Sequence, residues 1–232
     1  MAVYTHQTVF EGTARNALTV FSVLYKTCVF HLPNMAYSDY TLARLEDTFG
    51  LKNRLQPLFE TTTPVEPSAW LLNLLQIARE LPVKSKKAKS ELIVMPILIE
   101  LRNRNEKFFT IYSGDNLNID EQLKGECDFI LSKDTRSFEV NYPIIQVVEA
   151  KKNDIEIGIP QCAAQMVGAR KYNELRGNAI GPVVYGCVTT GDDWVFLRLT
   201  DLIEIDTRKY YLGNLSELLG TFQHIIDFFR QS

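Results

Sequence analysis

Residues 144–154 read IIQVVEAKKND, an apolar, β-branched run that ends in Glu149, Lys151 and Lys152. The run has the composition of a buried strand. Its end does not, because a carboxylate and an ammonium stand two residues apart where the chain should be leaving the core. Side chains two apart on a strand share a face, so Glu149 and Lys151 point one way and Ala150 the other, where its small size lets a helix pack against it. In the plain reading, Lys151 and Lys152 cap the strand in water and Glu149 is their ion-pair partner.

The chemical reading comes from the strand before it. CDFILSK, residues 127–133, places Asp128 at its start, after GEC, with twenty residues between Asp128 and Glu149. That separation accommodates two strands and a connection. If the strands pair antiparallel, the start of one lies beside the end of the next, and Asp128 meets Glu149 and Lys151. Two carboxylates at one point repel and raise each other's pKa unless something positive intervenes. A hard divalent cation resolves the conflict: Mg²⁺ accepts one or two carboxylates together with waters and substrate phosphate oxygens. A lysine beside it can orient an attacking water or offset charge developing at phosphorus.

Working outward, SELIVMPILIELRNRN (90–105) reads as a helix with Ser90 as N-cap and a kink or later start at Pro96. KFFTIYSG, CDFILSK and PIIQVVEAK read as three strands. IPQCAAQMVGARKYNELRGN (159–178) is a helix stopping near Gly177 and Asn178. PVVYGCVTTGDDWVFLRL is two strands with a turn at Thr190 to Asp193, LIEIDTRKYYL a further strand, and LSELLGTFQHIIDFFRQ a closing amphipathic helix. The order is helix, three strands, helix, strands.

Upstream, SDYTLARLEDTFG reads as a short helix with Ser38 near its start and Gly50 after its end. LFETTTPVEPSAW reads as a loop, and AWLLNLLQIARELP as an apolar helix ended before Pro82. VKSKKAKS, with Lys84, Lys86, Lys87 and Lys89, reads as a solvated linker, or as a phosphate-facing basic patch. The expected organisation is a mostly helical extension over 1–82 and an α/β domain over 83–232.

The constellation Asp128–x(20)–Glu149–Ala150–Lys151 resembles the PD-(D/E)XK nuclease superfamily, the restriction-endonuclease-like fold. The resemblance extends to the element order from about Glu91 to Leu199 and to the glutamines Gln161 and Gln165 in the helix after the lysine strand. YGCVTTGDDWVFLRL is similar to the strand pair of nuclease domains in type I restriction subunits. About half the chain is covered, and the first 80 residues match no named family. Cys127 stands where the motif has proline. The resemblance implies Mg²⁺-dependent hydrolysis of DNA phosphodiester bonds, with Mn²⁺ as substitute. Asp128 and Glu149 would hold the metal, Lys151 would assist the attacking water, and Gln161 would support it. The first helix of such domains often adds an acidic residue. Glu91 is the expected one, placed near the face of Met95 and Leu98, while Glu100 reads as a solvated surface residue. The rival from another class is a catalytically silent member of the fold that binds nucleic acid or protein.

Composition constrains the rest. The chain has 232 residues, 46% apolar and 23% charged, enough for a core that needs no disulfides. Cys28, Cys127, Cys162 and Cys187 form no CxxC pair and suit reduced thiols in a cytoplasmic protein. The net charge of −3 announces no global attraction to nucleic acid. No targeting signal is expected; Asn16 to Phe30 is apolar but too short for a membrane span and reads as a buried strand or helix. GDNLNID (114–120) lacks EF-hand spacing, and His6, His31 and His224 lack ligand spacing. DNA is the expected partner, no membrane is expected, and a homodimer is compatible with the resemblance.

Overall fold

The computed structural model of the protein describes residues 34–133, 137–177 and 180–231. The apolar stretch 16–30, Cys28, His6 and His31 lie outside them. Asn34–Ser232 form one compact unit. A 3₁₀ turn at Tyr37–Asp39 leads into α1, Leu42–Phe49, whose cap is Thr41, the side chain accepting from the Arg44 amide. Gly50 ends α1 at φ +69°, a left-handed conformation in which a Cβ is strained. β1, Asn53–Gln56, follows, then α2, Ala69–Glu80, which is capped by Ser68 and stops ahead of Pro82.

The stretch expected as a linker is instead the start of a helix. α3, Lys86–Lys89, is capped by Ser85, and runs without a break through a π-helical segment, Ser90–Val94, into α4, Met95–Arg104. The cap therefore lies at Ser85, five residues before Ser90. Pro96 explains the π segment: it lacks an N–H and its ring crowds the carbonyl four residues back, and a wider turn just before it relieves both problems.

The remaining elements are β2 (Thr110–Asn116), β3 (Glu126–Ser132), β4 (Ile144–Ala150), α5 (Ile155–Leu175), β5 (Val184–Thr189), β6 (Asp193–Leu199), β7 (Ile203–Asp206), β8 (Tyr210–Tyr211) and α6 (Leu215–Gln231). α5 starts four residues before the expected Ile159 because Asp154 caps it, accepting from the Glu156 amide at 2.8 Å. The expected single strand after residue 201 is two, β7 and β8.

The strands form an open eight-stranded mixed sheet in the order β1-β7-β6-β5-β4-β3-β2, with β8 added on β6. β4 and β5 run parallel, as do β1 and β7, and the other pairs are antiparallel. A parallel pair needs a crossover, and α5 supplies it between β4 and β5. α5 and α1 cover one face, with Tyr37, Ile130, Val147 and Val188 in that core. α2, α4 and α6 cover the other, with Phe129, Val148, Trp194 and Phe222. Burial of the sheet on both faces explains why β4 reads as a continuous apolar run.

Residues 34–82 belong to this unit. β1 extends the sheet by parallel pairing, Asn53 opposite Ile203 and Gln56 opposite Asp206. α2 packs on α4 through the core holding Leu71, Leu75, Ile97 and Leu98. Glu100 of α4 is buried there and is not the solvated residue expected. It accepts hydrogen bonds from the Ser68 amide at 3.1 Å and hydroxyl at 2.7 Å, and pairs with Arg104 at 3.1 Å. Its task is to tie the start of α2 to α4. Among the described residues no helix is long and apolar enough to cross a membrane.

Candidate functional site

β3 and β4 pair antiparallel with Phe129 opposite Val148. That register sets Asp128, one residue earlier on β3, against Glu149, one later on β4, as the sequence spacing requires. Asp128 is held by the backbone: its Oδ2 accepts from the Ala150 amide at 2.8 Å. A β-bulge upstream secures the phase. Ser132 faces Ile144 but Leu131 faces Gln146, so Ile145 is an extra residue. One extra residue inverts the alternation beyond it, which turns Glu149 toward α5.

Glu149 is 1% exposed. Its Oε2 accepts from Gln165 Nε2 of α5 at 2.7 Å. Its Oε1 is buried and accepts no well-formed hydrogen bond from the described residues, although two ammonium groups face it: Lys151 Nζ at 3.0 Å and Lys86 Nζ at 3.7 Å. Burial, then the neighbouring Asp128 charge, raise the Glu149 pKa from 4.5; Lys151, Gln165 and Lys86 act in the opposite direction without cancelling the rise. Desolvation is the larger cause, and the repulsion expected of two carboxylates on one spot is the smaller.

Lys151 lies across the first turns of α5. Its Nζ donates to Gln161 Oε1 at 2.6 Å and contacts Glu149 Oε1, and its backbone N–H donates to the Thr189 carbonyl of β5 at 2.7 Å. Gly158 makes room for it: a Cβ there would stand 3.0 Å from Lys151 Cγ and 2.4 Å from Val188 Cγ1. Gln161 and Gln165 thus have distinct tasks, Gln161 orienting the ammonium and Gln165 the carboxylate.

Lys86, on the first turn of α3, reaches the same spot. Its Nζ is 2.8 Å from Asp128 Oδ1 as well as 3.7 Å from Glu149 Oε1. Partial burial would lower its pKa, but the Asp128 hydrogen bond and the surrounding carboxylates prevail and the net direction is upward. Sequence reasoning put Lys86 in a linker. The missed signal was Ser85, a capping residue that starts the helix early and turns Lys86 inward.

Asp128, Glu149, Gln161 and Lys86 line a cleft of about 260 Å³ with Tyr37, Gly125 and Glu126, and Lys151 stands behind it on Glu149 and Gln161. The cleft opens beside the start of β3 and the carboxyl end of β4. Glu126, two residues before Asp128 on β3, was also missed. Glu91 does not join the pair. It is 61% exposed, ion-pairs with Lys87 at 3.8 Å, and lines a neighbouring cleft of about 380 Å³. The expectation that it sits among core positions is corrected, since the π segment changes its angular position; the cleft it lines is shared with Asp128, Glu126 and Lys86. His224 packs edge-on against Phe59.

Glu149 Oε1, a buried carboxylate oxygen with no well-formed hydrogen bond and only the two ammonium groups facing it, makes with Asp128 Oδ1 a hard, anionic oxygen pair that suits Mg²⁺ or Mn²⁺. Among the described residues no three His, Cys, Asp or Glu side chains group closely enough to form a ligand set by themselves. The pair would rely on water and substrate oxygens, as Mg²⁺ commonly does. Cys127, Cys162 and Cys187 are unpaired, buried thiols and belong to the core.

No family model, curated protein or solved structure matches the chain.

Proposed function

We propose that this chain is a Mg²⁺-dependent nuclease with a restriction-endonuclease-like core, hydrolysing DNA phosphodiester bonds, with Mn²⁺ able to substitute. The observation that supports this reading is the meeting of Asp128 and Glu149 at one cleft, with Glu149 Oε1 buried without a well-formed hydrogen bond and the Lys151 ammonium 3.0 Å from it. A surface ion pair needs none of this burial, and exposed pairs contribute little.

Asp128 and Glu149 would hold the cation. Bound there, it would supply Lewis-acid polarisation of a phosphoryl oxygen and a water of lowered pKa. The chain's own residues do the rest. Gln161 and Glu149, which line the cleft, fix the Lys151 ammonium beside them. From there Lys151 orients the attacking water and offsets the charge that builds on phosphorus. Gln165 keeps Glu149 in one rotamer, so the acid does not have to reorganise when substrate arrives. Lysine is not a ligand for a hard cation, so Lys151 would act beside the cation and not as one of its ligands.

Lys86 favours a second reading, the catalytically silent module, because its ammonium already satisfies the carboxylates as an ion pair. Incubation of plasmid, single-stranded DNA and RNA with Mg²⁺, Mn²⁺ or EDTA separates the two. The nuclease reading expects metal-dependent cleavage of DNA that Lys151→Ala abolishes while Mn²⁺ still raises the thermal midpoint. Lys151→Arg is also expected to cleave poorly, since a planar fork does not replace a compact ammonium. Full cleavage by Lys151→Ala removes the lysine from its role. Binding without cleavage by wild type supports the silent module, and sedimentation of the same samples reads whether the chain is a homodimer.

A further inference from the structure

We propose that Lys86 is a competitor built into the cation site, whose ammonium and a divalent metal take Asp128 and Glu149 in turn, so that this one residue sets the metal affinity of the cleft. The proposal rests on the metal-site reading above and deepens it.

Three observations carry it. The first is shared atoms: Lys86 Nζ approaches Asp128 Oδ1 at 2.8 Å and Glu149 Oε1 at 3.7 Å, the two oxygens that a bridging cation would use. Mg²⁺ binds oxygen at about 2.0–2.1 Å, so a cation on those oxygens and an ammonium at hydrogen-bond distance from one of them would crowd and repel each other. The second is the difference between the two lysines. Lys151 is pinned by Gln161 and is 18% exposed, and of the two carboxylates it meets only Glu149, at Oε1, 3.0 Å away. Lys86 is 44% exposed, and its contacts at the site are the two carboxylates. The third is mobility of attachment. Lys86 is the first residue of α3, with the flexible four-carbon stem of lysine, and outward rotation costs no helix hydrogen bond. Lys151, in contrast, follows directly on the buried β4 strand.

The chemistry is an exchange with no covalent step: the Asp128–ammonium hydrogen bond opens, the cation is bound by the two carboxylates, and the ammonium moves to solvent, still positive and within the cleft mouth. Because both occupants bind the same oxygens, the coupling between them is negative and reciprocal.

Calorimetric titration of the full chain with Mn²⁺ tests this without any turnover. Lys86→Met keeps the aliphatic stem and removes the charge; it should bind Mn²⁺ tighter than wild type by at least about fivefold, the low end for coupled sites. Lys87→Met, one residue along and exposed, controls for the loss of a nearby charge and should leave the affinity within twofold of wild type. Lys86→Arg retains a competitor and should bind no tighter than wild type. Thermal unfolding in EDTA confirms that each variant is folded. Tight binding by Lys86→Met where wild type binds weakly or not at all supports the proposal. Equal affinity for wild type and Lys86→Met, or equal gains from Lys86→Met and Lys87→Met, overturns it while leaving the metal site standing. No binding by any of the four proteins overturns both this proposal and the metal-site reading.

Discussion

The Glu149 carboxyl is buried against α5, and burial together with Asp128 raises its pKa above the ordinary 4.5. A carboxyl with a raised folded value binds its proton more tightly in the folded state. Its favourable contribution is complete below the ordinary value and is lost as pH rises through the raised one. At neutral pH the ionised group therefore weakens the fold. Glu149→Gln in EDTA at pH 7 should be at least as stable as wild type, with Gln165 still able to donate to the new amide oxygen, and the advantage should vanish by about pH 4. Millimolar Mn²⁺ should reverse the order. It would stabilise wild type by about 2.7 kcal/mol at a hundredfold excess over the dissociation constant and leave the variant unmoved. Thermal unfolding at both pH values, with EDTA and with Mn²⁺, reads all four quantities. A variant less stable than wild type at pH 7 in EDTA would show that the ion pairs to Lys151 and Lys86 outweigh the burial.

At the scale of elements, the site depends on how closely α5 approaches β4 and β5. Gly158 sets that approach, since a Cβ would meet Val188 Cγ1 at 2.4 Å and the Lys151 stem at 3.0 and 3.2 Å. Alanine is a better helix former than glycine by about 1 kcal/mol, so propensity alone predicts that Gly158→Ala stabilises. Overpacking should prevail, with a net loss of about 1–3 kcal/mol. On the nuclease reading proposed above, displacement of Lys151 should cut the cleavage rate while Mn²⁺ still stabilises the protein. Gly213→Ala, where nothing lies within 4 Å, is the neutral comparison. Chemical denaturation and plasmid cleavage measure both effects, and a Gly158→Ala protein that is stable and fully active would mean that α5 can shift without moving the lysine.

At the scale of the whole molecule, the net charge of −3 conceals a local asymmetry. The helix that begins at Lys86 presents lysines at one end, but they do not share one task. Lys86 faces the carboxylates, and Lys89 bonds the Lys152 carbonyl at 3.2 Å and Asp192 at 3.4 Å. Lys84 and Lys87 are exposed, and Lys87 has only a loose 3.8 Å pair with Glu91. If both contact phosphate, Lys84→Ala with Lys87→Ala should reduce the log–log salt slope of duplex DNA binding by about 1.8, at 0.9 per phosphate. Binding titrations across salt concentrations in EDTA provide the slope, and an unchanged value would assign the two lysines to solvent.

The strands and the pairing of Asp128 with Glu149 were legible because they rest on local rules. Apolar β-branched runs mark β3 and β4, alternation puts Glu149 and Lys151 on one face, and a short antiparallel connection brings Asp128 opposite. β1 was not legible, since NRLQ has no apolar pattern and is a strand only because β7 offers an edge to pair with. Glu91 and Glu100 were assigned to the wrong environments because a sequence count of 100° per residue does not contain the π segment. Lys86 looked like a linker residue because charge runs are usually solvated, and only the cap at Ser85 and the fold of β3 against β4 turn it to the carboxylates. Sequence by itself determined that Asp128, Glu149 and Lys151 come together and which strands carry them. Tertiary structure alone decided which cation meets them, because the distance from Lys86 to Asp128 depends on elements more than thirty residues apart in the chain, where no local rule acts.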